Sequence, residues 1–252
     1  MSLFKKILGA ALLSVAATGV MAATSVALDR APLSFDDASL QSGAKTFVNY
    51  CLNCHGASAL RYNRLTQIGL TEQQIKDNLM FTADKVGEQM KVAMRHEDAK
   101  KWFGATPPDL SLIARARASG DGSGADWLYT YLRQFYRDET RPSGWNNAVF
   151  PGVGMPHVLW TLQGVQEARF VEKDDGHGNK VKHLEGFEIV QPGQLTKEEY
   201  DAEVANLVSF LTWMGEPSQE SRKQIGWVVL AVLSVLAVLS WMLKKAFWKD
   251  VH

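Results

Sequence analysis

Cysteine is almost absent from this chain of 252 residues, which has only Cys51 and Cys54. No thiol is left over for a structural disulfide, for a zinc site with further cysteines, or for a nucleophile elsewhere. Net charge is absent as well. Lysine plus arginine and aspartate plus glutamate both number 27, so the balance implies no polyanion-binding surface and no nucleic-acid partner. Long apolar runs are scarce, and two stand out, one near each end. The length allows one large domain or two small ones.

The two cysteines stand together, in Cys51-Leu52-Asn53-Cys54-His55. Two thiols with two residues between them, followed at once by histidine, form the attachment pattern of a c-type haem. On a helical turn this spacing lets both sulfurs form thioethers with the two haem vinyl groups, and the adjacent imidazole reaches the iron. A redox dithiol would need a βαβ context and usually lacks the histidine. A zinc site would need two further ligands close by, and the sequence offers none. Because five residues can match by chance, the cellular compartment has to agree. Residues 1–22 read as a secretory signal peptide, with Lys5 and Lys6, an apolar run from Ile7 to Val20, and small residues around Ala22 and Ala23 for cleavage. An uncleaved N-terminal anchor is the alternative. Removing residues 1–22 leaves 25 basic against 27 acidic residues. Export and haem attachment support each other, since c-type haems are attached outside the cytoplasm.

Residues 23–221 read as a mainly α domain. Asp36 to Ser39 is a polar helix start, and Leu40, Ala44, Phe47, Val48 and Cys51 form an apolar stripe running into the haem motif. Further helices are expected at Glu72 to Met80 and Asp84 to Arg95, with Met80, Met90 and Met94 as filler. Pro107 and Pro108 impose an extended turn before a short helix from Ser111 to Arg117. Asp126 is placed to cap a helix with Trp127, Leu128, Tyr131, Leu132 and Phe135 on one face. Residues 140–157 read as loop, and Phe170 to Val190 as a β-hairpin with its tip at Asp174 to Asn179. His177 and His183 fall there as turn and strand residues. Thr196 with Glu199 forms a capping box, Leu195 with Tyr200 a hydrophobic staple, and the helix runs to Gly215, packing across the first. In residues 222–252, Ile225 to Leu243 gives 19 residues without charge, about one bilayer at roughly 1.5 Å per residue. Trp227 and Trp241 lie near its ends, and Lys244, Lys245 and Lys249 follow, predicting a cytoplasmic C-terminus.

An iron with an open site would suit gas or peroxide chemistry, whereas a second strong ligand would suit electron transfer. Met155 leads as the second ligand. It stands a hundred residues after His55 in a Pro/Gly-rich loop, with His157 and then His96 as competitors.

From about Ser34 to Lys249 the chain resembles the cytochrome c1 family, the haem subunits of ubiquinol–cytochrome c oxidoreductase. The resemblance rests on Cys51 to His55, Arg61-Tyr62-Asn63-Arg64-Leu65, and Pro107-Pro108-Asp109-Leu110-Ser111 running into Arg115-Ala116-Arg117. It continues in Gly152-Val153-Gly154-Met155-Pro156 and in Phe210-Leu211-Thr212-Trp213 before Glu216-Pro217. It implies a class I c-type cytochrome-like helical domain with loop and hairpin insertions and one C-terminal transmembrane helix. It also implies one covalent haem c, with His55 and Met155 on the iron, Arg117 against a propionate, and Pro108 and Trp127 in the pocket. Tryptophan at 127 departs from the family's tyrosine, and the segment between His55 and Pro107 is short, as in compact bacterial members. The implied role is one-electron transfer, without a catalytic residue, from a Rieske iron–sulfur protein to a soluble or membrane-bound cytochrome c. The implied setting is a dimeric complex with a cytochrome b subunit in the bacterial inner membrane, with the haem domain in the periplasm. Glu167, Glu172, Asp174 and Asp175 read either as a docking face for a basic cytochrome c or as a solvated face. The rival readings are a haem subunit of a periplasmic dehydrogenase or terminal oxidase, and a haem sensor or peroxidase.

Overall fold

The structure, a computed structural model, describes residues 26–174 and 180–249. The expected signal peptide and most of the hairpin tip, with His177 and Asp175, lie outside the described residues.

Helix α1 (Asp37–Thr46) starts where Asp36 accepts a hydrogen bond from the Ser39 backbone N–H at 2.9 Å. Its stripe continues through one wide π-helical turn, Phe47–Cys51, closed by Leu52 N–H to Phe47 O at 3.0 Å. The long helix α7 (Lys197–Gly215) opens with the capping box of Thr196 and Glu199. These two helices cross at very short range because Gly43 has no side chain: a Cβ there would stand 2.1 Å from Asn206 O. The Phe47 and Phe210 rings meet beside the crossing, 5.7 Å apart, and both residues are fully buried. The packing expected of the first and last globular helices is therefore present, and its cause is a single glycine.

Between them, α2 (Glu72–Asn78) matches the predicted helix, opened by Thr71 and Gln74. The predicted helix at Asp84 to Arg95 does not form. Tyr62 N–H donates to Glu88 O at 3.1 Å and Asn63 N–H to Val86 O at 2.7 Å, and strand β2 (Gln89–Met90) pairs with β1 (Ala57–Arg61). Long-range pairing that buries Met90 completely outweighs the local helical pattern there. The helix comes later, as α3 (His96–Phe103), followed by the short α4 (Ile113–Ala116).

Helix α5 (Gly124–Arg133) begins one turn earlier than predicted. Ser123 is its cap, and Asp126 is the reciprocal partner that returns a bond to the Ser123 N–H. Asp126 also receives Ala31 N–H at 2.8 Å, which ties the N-terminal segment to the helix. Helix α5 is fixed to α7 by Tyr200 Oη donating to Leu132 O at 2.9 Å and by Arg133 paired with Asp201 at 2.6 Å.

Residues 140–157 are not all loop, since β4 (Trp145–Asn147) pairs with β3 (Phe135–Arg137). After α6 (Trp160–Gln163) the predicted hairpin is present and longer than expected, as β5 (Gly164–Asp174) and β6 (Lys180–Pro192). Tyr136 of β3 packs against Phe170 and Phe187 of this hairpin. Among the described residues the architecture is mainly helical, with three two-stranded ladders. Finally α8 (Gln219–Phe247) leaves the domain, and Ser221–Phe247 within it is long and apolar enough to cross a membrane, with none of it buried.

Candidate cofactor cavity

The π turn, α3 to α5, the segment around Met155 and α7 surround one cavity of about 350 Å³ with mainly apolar walls. Cys51, Cys54, His55, Pro108, Arg117, Trp127 and Met155 all line it. All seven residues selected from the sequence are thus brought to one place, although they span a hundred positions. Cys51 is 8% exposed, and its burial, with Cys54 adding to it, pushes its thiol up to about 12. Burial raises the Cys54 thiol too.

His55 is aimed by the proline-rich element. Its Nδ1 lies 2.7 Å from Pro108 O, and a carbonyl can only accept, so Nδ1 carries the hydrogen and Nε2 keeps a free lone pair. The carbonyl is held in place because residues 109–111 are fastened to the chain following the cysteines. Leu110 N–H donates to Gly56 O at 2.7 Å, and Asp109 receives Ser58 N–H at 2.8 Å, Ser58 Oγ–H at 2.7 Å and Ser111 N–H at 2.9 Å. Ser111 Oγ in turn accepts Ala59 N–H at 2.9 Å. Burial works to raise the Asp109 carboxyl, but bonds from Ser111 and Ser58 hold it below the ordinary carboxylate range. At His55 burial lowers the imidazole pKa against the opposing pull of Pro108 and Asp109, which favours the neutral ring a metal requires.

Met155 reaches the cavity on a segment held by two neighbouring asparagines. Buried Asn147 donates from Nδ2 to Tyr131 O at 2.8 Å, while its Oδ1 receives Val149 N–H at 2.9 Å and Phe150 N–H at 3.1 Å. Asn146 Oδ1 receives Gly152 N–H at 2.8 Å, and Arg141 Nη2 donates to Gly152 O at 2.7 Å. The competing histidines are elsewhere. His157 does not line the cavity; it is 2% exposed, lies parallel to Phe135 with ring centroids 5.0 Å apart, and is pushed down to about 4 by burial. His96 opens α3 and lines a separate, more polar cleft.

Arg117 ends α4 with its guanidinium 4.4 Å from the Trp127 ring centre and 5.8 Å from that of Phe150. A cation held on aromatic faces at a cavity wall suits an anionic ligand group. Arg115 is exposed, with its stem beside Gly215. None of Glu167, Glu172 and Asp174 lines the cavity, and Glu172 pairs with Lys180 at 3.4 Å.

Sequence reasoning passed over Tyr131, Asn146 and Asn147 as site residues. Tyr131 carried only the signal of a helix stripe, and the asparagines that of a loop. The residue set fits a covalently held haem on its own chemistry: two thiols, an imidazole nitrogen left free by its partner, a thioether, apolar walls and one cation.

Comparison with known proteins agrees. The Cytochrome C1 family model matches residues 28–185 and 188–251. Over 218 residues, 86% of each chain, the protein is 47% identical to cytochrome c1 of Allochromatium vinosum. It is 48% identical over 228 residues, 90% of each chain, to a Nitrosomonas europaea protein named ammonia monooxygenase gamma subunit. A mitochondrial cytochrome c1 haem protein of Solanum tuberosum is 28% identical over 241 residues, covering 85% of this chain and 80% of its own. With a family match over nearly its whole described length and a cavity built for a thioether-bound haem, the chain belongs to the cytochrome c1 family.

Proposed function

We propose that this chain is the membrane-anchored haem subunit of a quinol–cytochrome c reductase, passing single electrons from a Rieske iron–sulfur protein to a cytochrome c. In this reading α8 holds the chain in the bacterial inner membrane, beside a cytochrome b subunit in a dimeric complex. The haem domain faces the periplasm, and Lys244, Lys245 and Lys249 keep the C-terminus in the cytoplasm. The observation that carries the reading is the meeting of His55, with Nε2 free, and Met155 in one apolar cavity that also contains both cysteines.

The bound haem supplies a one-electron couple, and the residues of this chain tune and shield it. Cys51 and Cys54 would hold it covalently. His55, oriented by Pro108, and Met155, carried by the Asn147-braced segment, would supply its nitrogen and sulfur ligands. A thioether favours Fe(II) and raises the potential. Arg117, resting on Trp127, would pair with a propionate. The apolar walls exclude water and lower the local dielectric, which tunes the potential.

The test is purification of the full chain with its associated subunits in mild detergent. The reading requires a low-spin c-type spectrum and co-purification of a b-type cytochrome and a Rieske protein. Met155→Ala should abolish methionine ligation and lower the potential. High-spin, ligand-accepting ferrous iron in the wild type would refute it. The Nitrosomonas relative's printed name favours one other reading, a haem subunit feeding electrons to an oxygenase. Co-purification with oxygenase subunits in place of the b-type cytochrome would decide for it.

A further inference from the structure

Tyr131 touches the Met155 segment at two points. Its carbonyl oxygen accepts from Asn147 Nδ2 at 2.8 Å, and its hydroxyl donates to Met155 Sδ at 3.5 Å. One residue of α5 therefore sets both the register of the segment and the orientation of its sulfur. The ring has no room to turn away. It stacks on Trp127 with centroids 4.6 Å apart and planes 14° from parallel, and meets Phe135 edge-on at 5.0 Å. A phenol ordinarily titrates at about 10, so the hydroxyl has a proton to donate at physiological pH.

A thioether sulfur has two lone pairs and is a weak hydrogen-bond acceptor. A hydroxyl directed at one of them leaves the other to bind a metal. We propose that Tyr131 is a positioning residue for the sulfur ligand of the haem iron, whose hydroxyl draws electron density from Met155 Sδ and thereby raises the reduction potential. This rests on the reading of Met155 as an iron ligand. A sulfur that donates less destabilises Fe(III) more than Fe(II), and the one-electron equilibrium moves toward the reduced state. Trp127 stacked on one face and Phe135 set edge-on hold the donor at its acceptor, so the bond need not be re-formed at each turnover. The same packing keeps water from competing for the sulfur.

Tyr131→Phe removes the hydroxyl and keeps the stacked ring, and is studied in the full haem-loaded chain in mild detergent. Two quantities are read: the sulfur-to-Fe(III) charge-transfer absorption, which reports methionine ligation, and the potential by redox titration. The absorption should persist while the equilibrium constant for reduction falls by up to about tenfold, which is about 59 mV for a one-electron couple. Retained absorption with an unchanged potential overturns the role given to Tyr131 and leaves Met155 as ligand. Absence of the absorption from the wild-type protein overturns the ligand assignment, and this inference with it.

Discussion

Replacing Gly43 with alanine sets two well-known effects against each other, and the structure decides between them. Gly43 lies inside α1, where helix propensity alone makes alanine better than glycine by about 1 kcal/mol. The crossing with α7 opposes this. The new Cβ would stand 2.1 Å from Asn206 O and 2.7 Å from both Asn206 C and Phe210 Cβ, where ordinary contact begins at 3.4 Å. The obstructing atoms are mostly backbone of a second helix, so no side-chain rotation relieves the overlap. The helices must part by more than an ångström along a seam that buries Phe47, Leu207 and Phe210. Overpacking of a tight interior typically costs about 1–3 kcal/mol and occasionally more. With two obstructing helical groups the upper end applies, and after the propensity gain Gly43→Ala should destabilise the domain by about 2 kcal/mol. Urea unfolding of the haem-loaded chain in detergent, followed by circular dichroism, measures this as a lower midpoint at constant slope. A neutral or stabilised variant would refute the argument, because propensity would then outweigh a contact that the helix crossing forbids.

Asp109→Asn tests the clamp on the proline-rich element. The folded pKa of Asp109 is depressed, so its contribution exists above its unfolded pKa and is lost as pH falls through the folded value. Wild type should therefore be more stable than the variant at pH 7, by about 1 kcal/mol for a partly exposed group, with the gap closing in acid. An equal gap at pH 7 and pH 3 in urea titrations would contradict this. Asn147→Ala leaves the Val149 and Phe150 amides and the Tyr131 carbonyl short of a partner, and should cost about 2–4 kcal/mol and weaken methionine ligation, read from the same charge-transfer absorption. Arg117→Leu should lower the potential without loss of that absorption, since it removes a cation from the cavity wall and leaves His55 and Met155 in place; an unchanged potential would argue against propionate pairing.

Elements whose signals are local were legible in the sequence. The Thr196 and Glu199 box, the stripe from Leu40 to Cys51 and the charge-free run before Lys244 each occupy contiguous residues, and each is an element of the structure. What failed depended on distant partners. The ladder between Ala57–Arg61 and Gln89–Met90 leaves no period in either strand, so the helical pattern of 84–95 misled. Cys51, Cys54, His55 and Met155 were selected by residue type and spacing, whereas Tyr131 looked like any helical core tyrosine. Its distinction is a hydroxyl beside a sulfur 24 positions away, which only the folded chain reveals. The exclusion of His157 likewise needed the fold, because two residues beyond Met155 the chain has already turned into the core between Phe135 and Trp145.

The burial of Cys51 has a consequence for how the protein is made. Thioether formation at a vinyl group needs a reachable thiol, and ionisation speeds the attack. In the folded domain Cys51 is 8% exposed and its thiol is held protonated to about pH 12. The five-residue attachment motif is local, while the walls that close over it come from segments as far away as Leu211. Covalent loading is therefore favoured while these walls are still open, before the segments that bury Cys51 close over the motif. A chain that folded first would have to part them again to bring the Cys51 thiol within reach of a vinyl group.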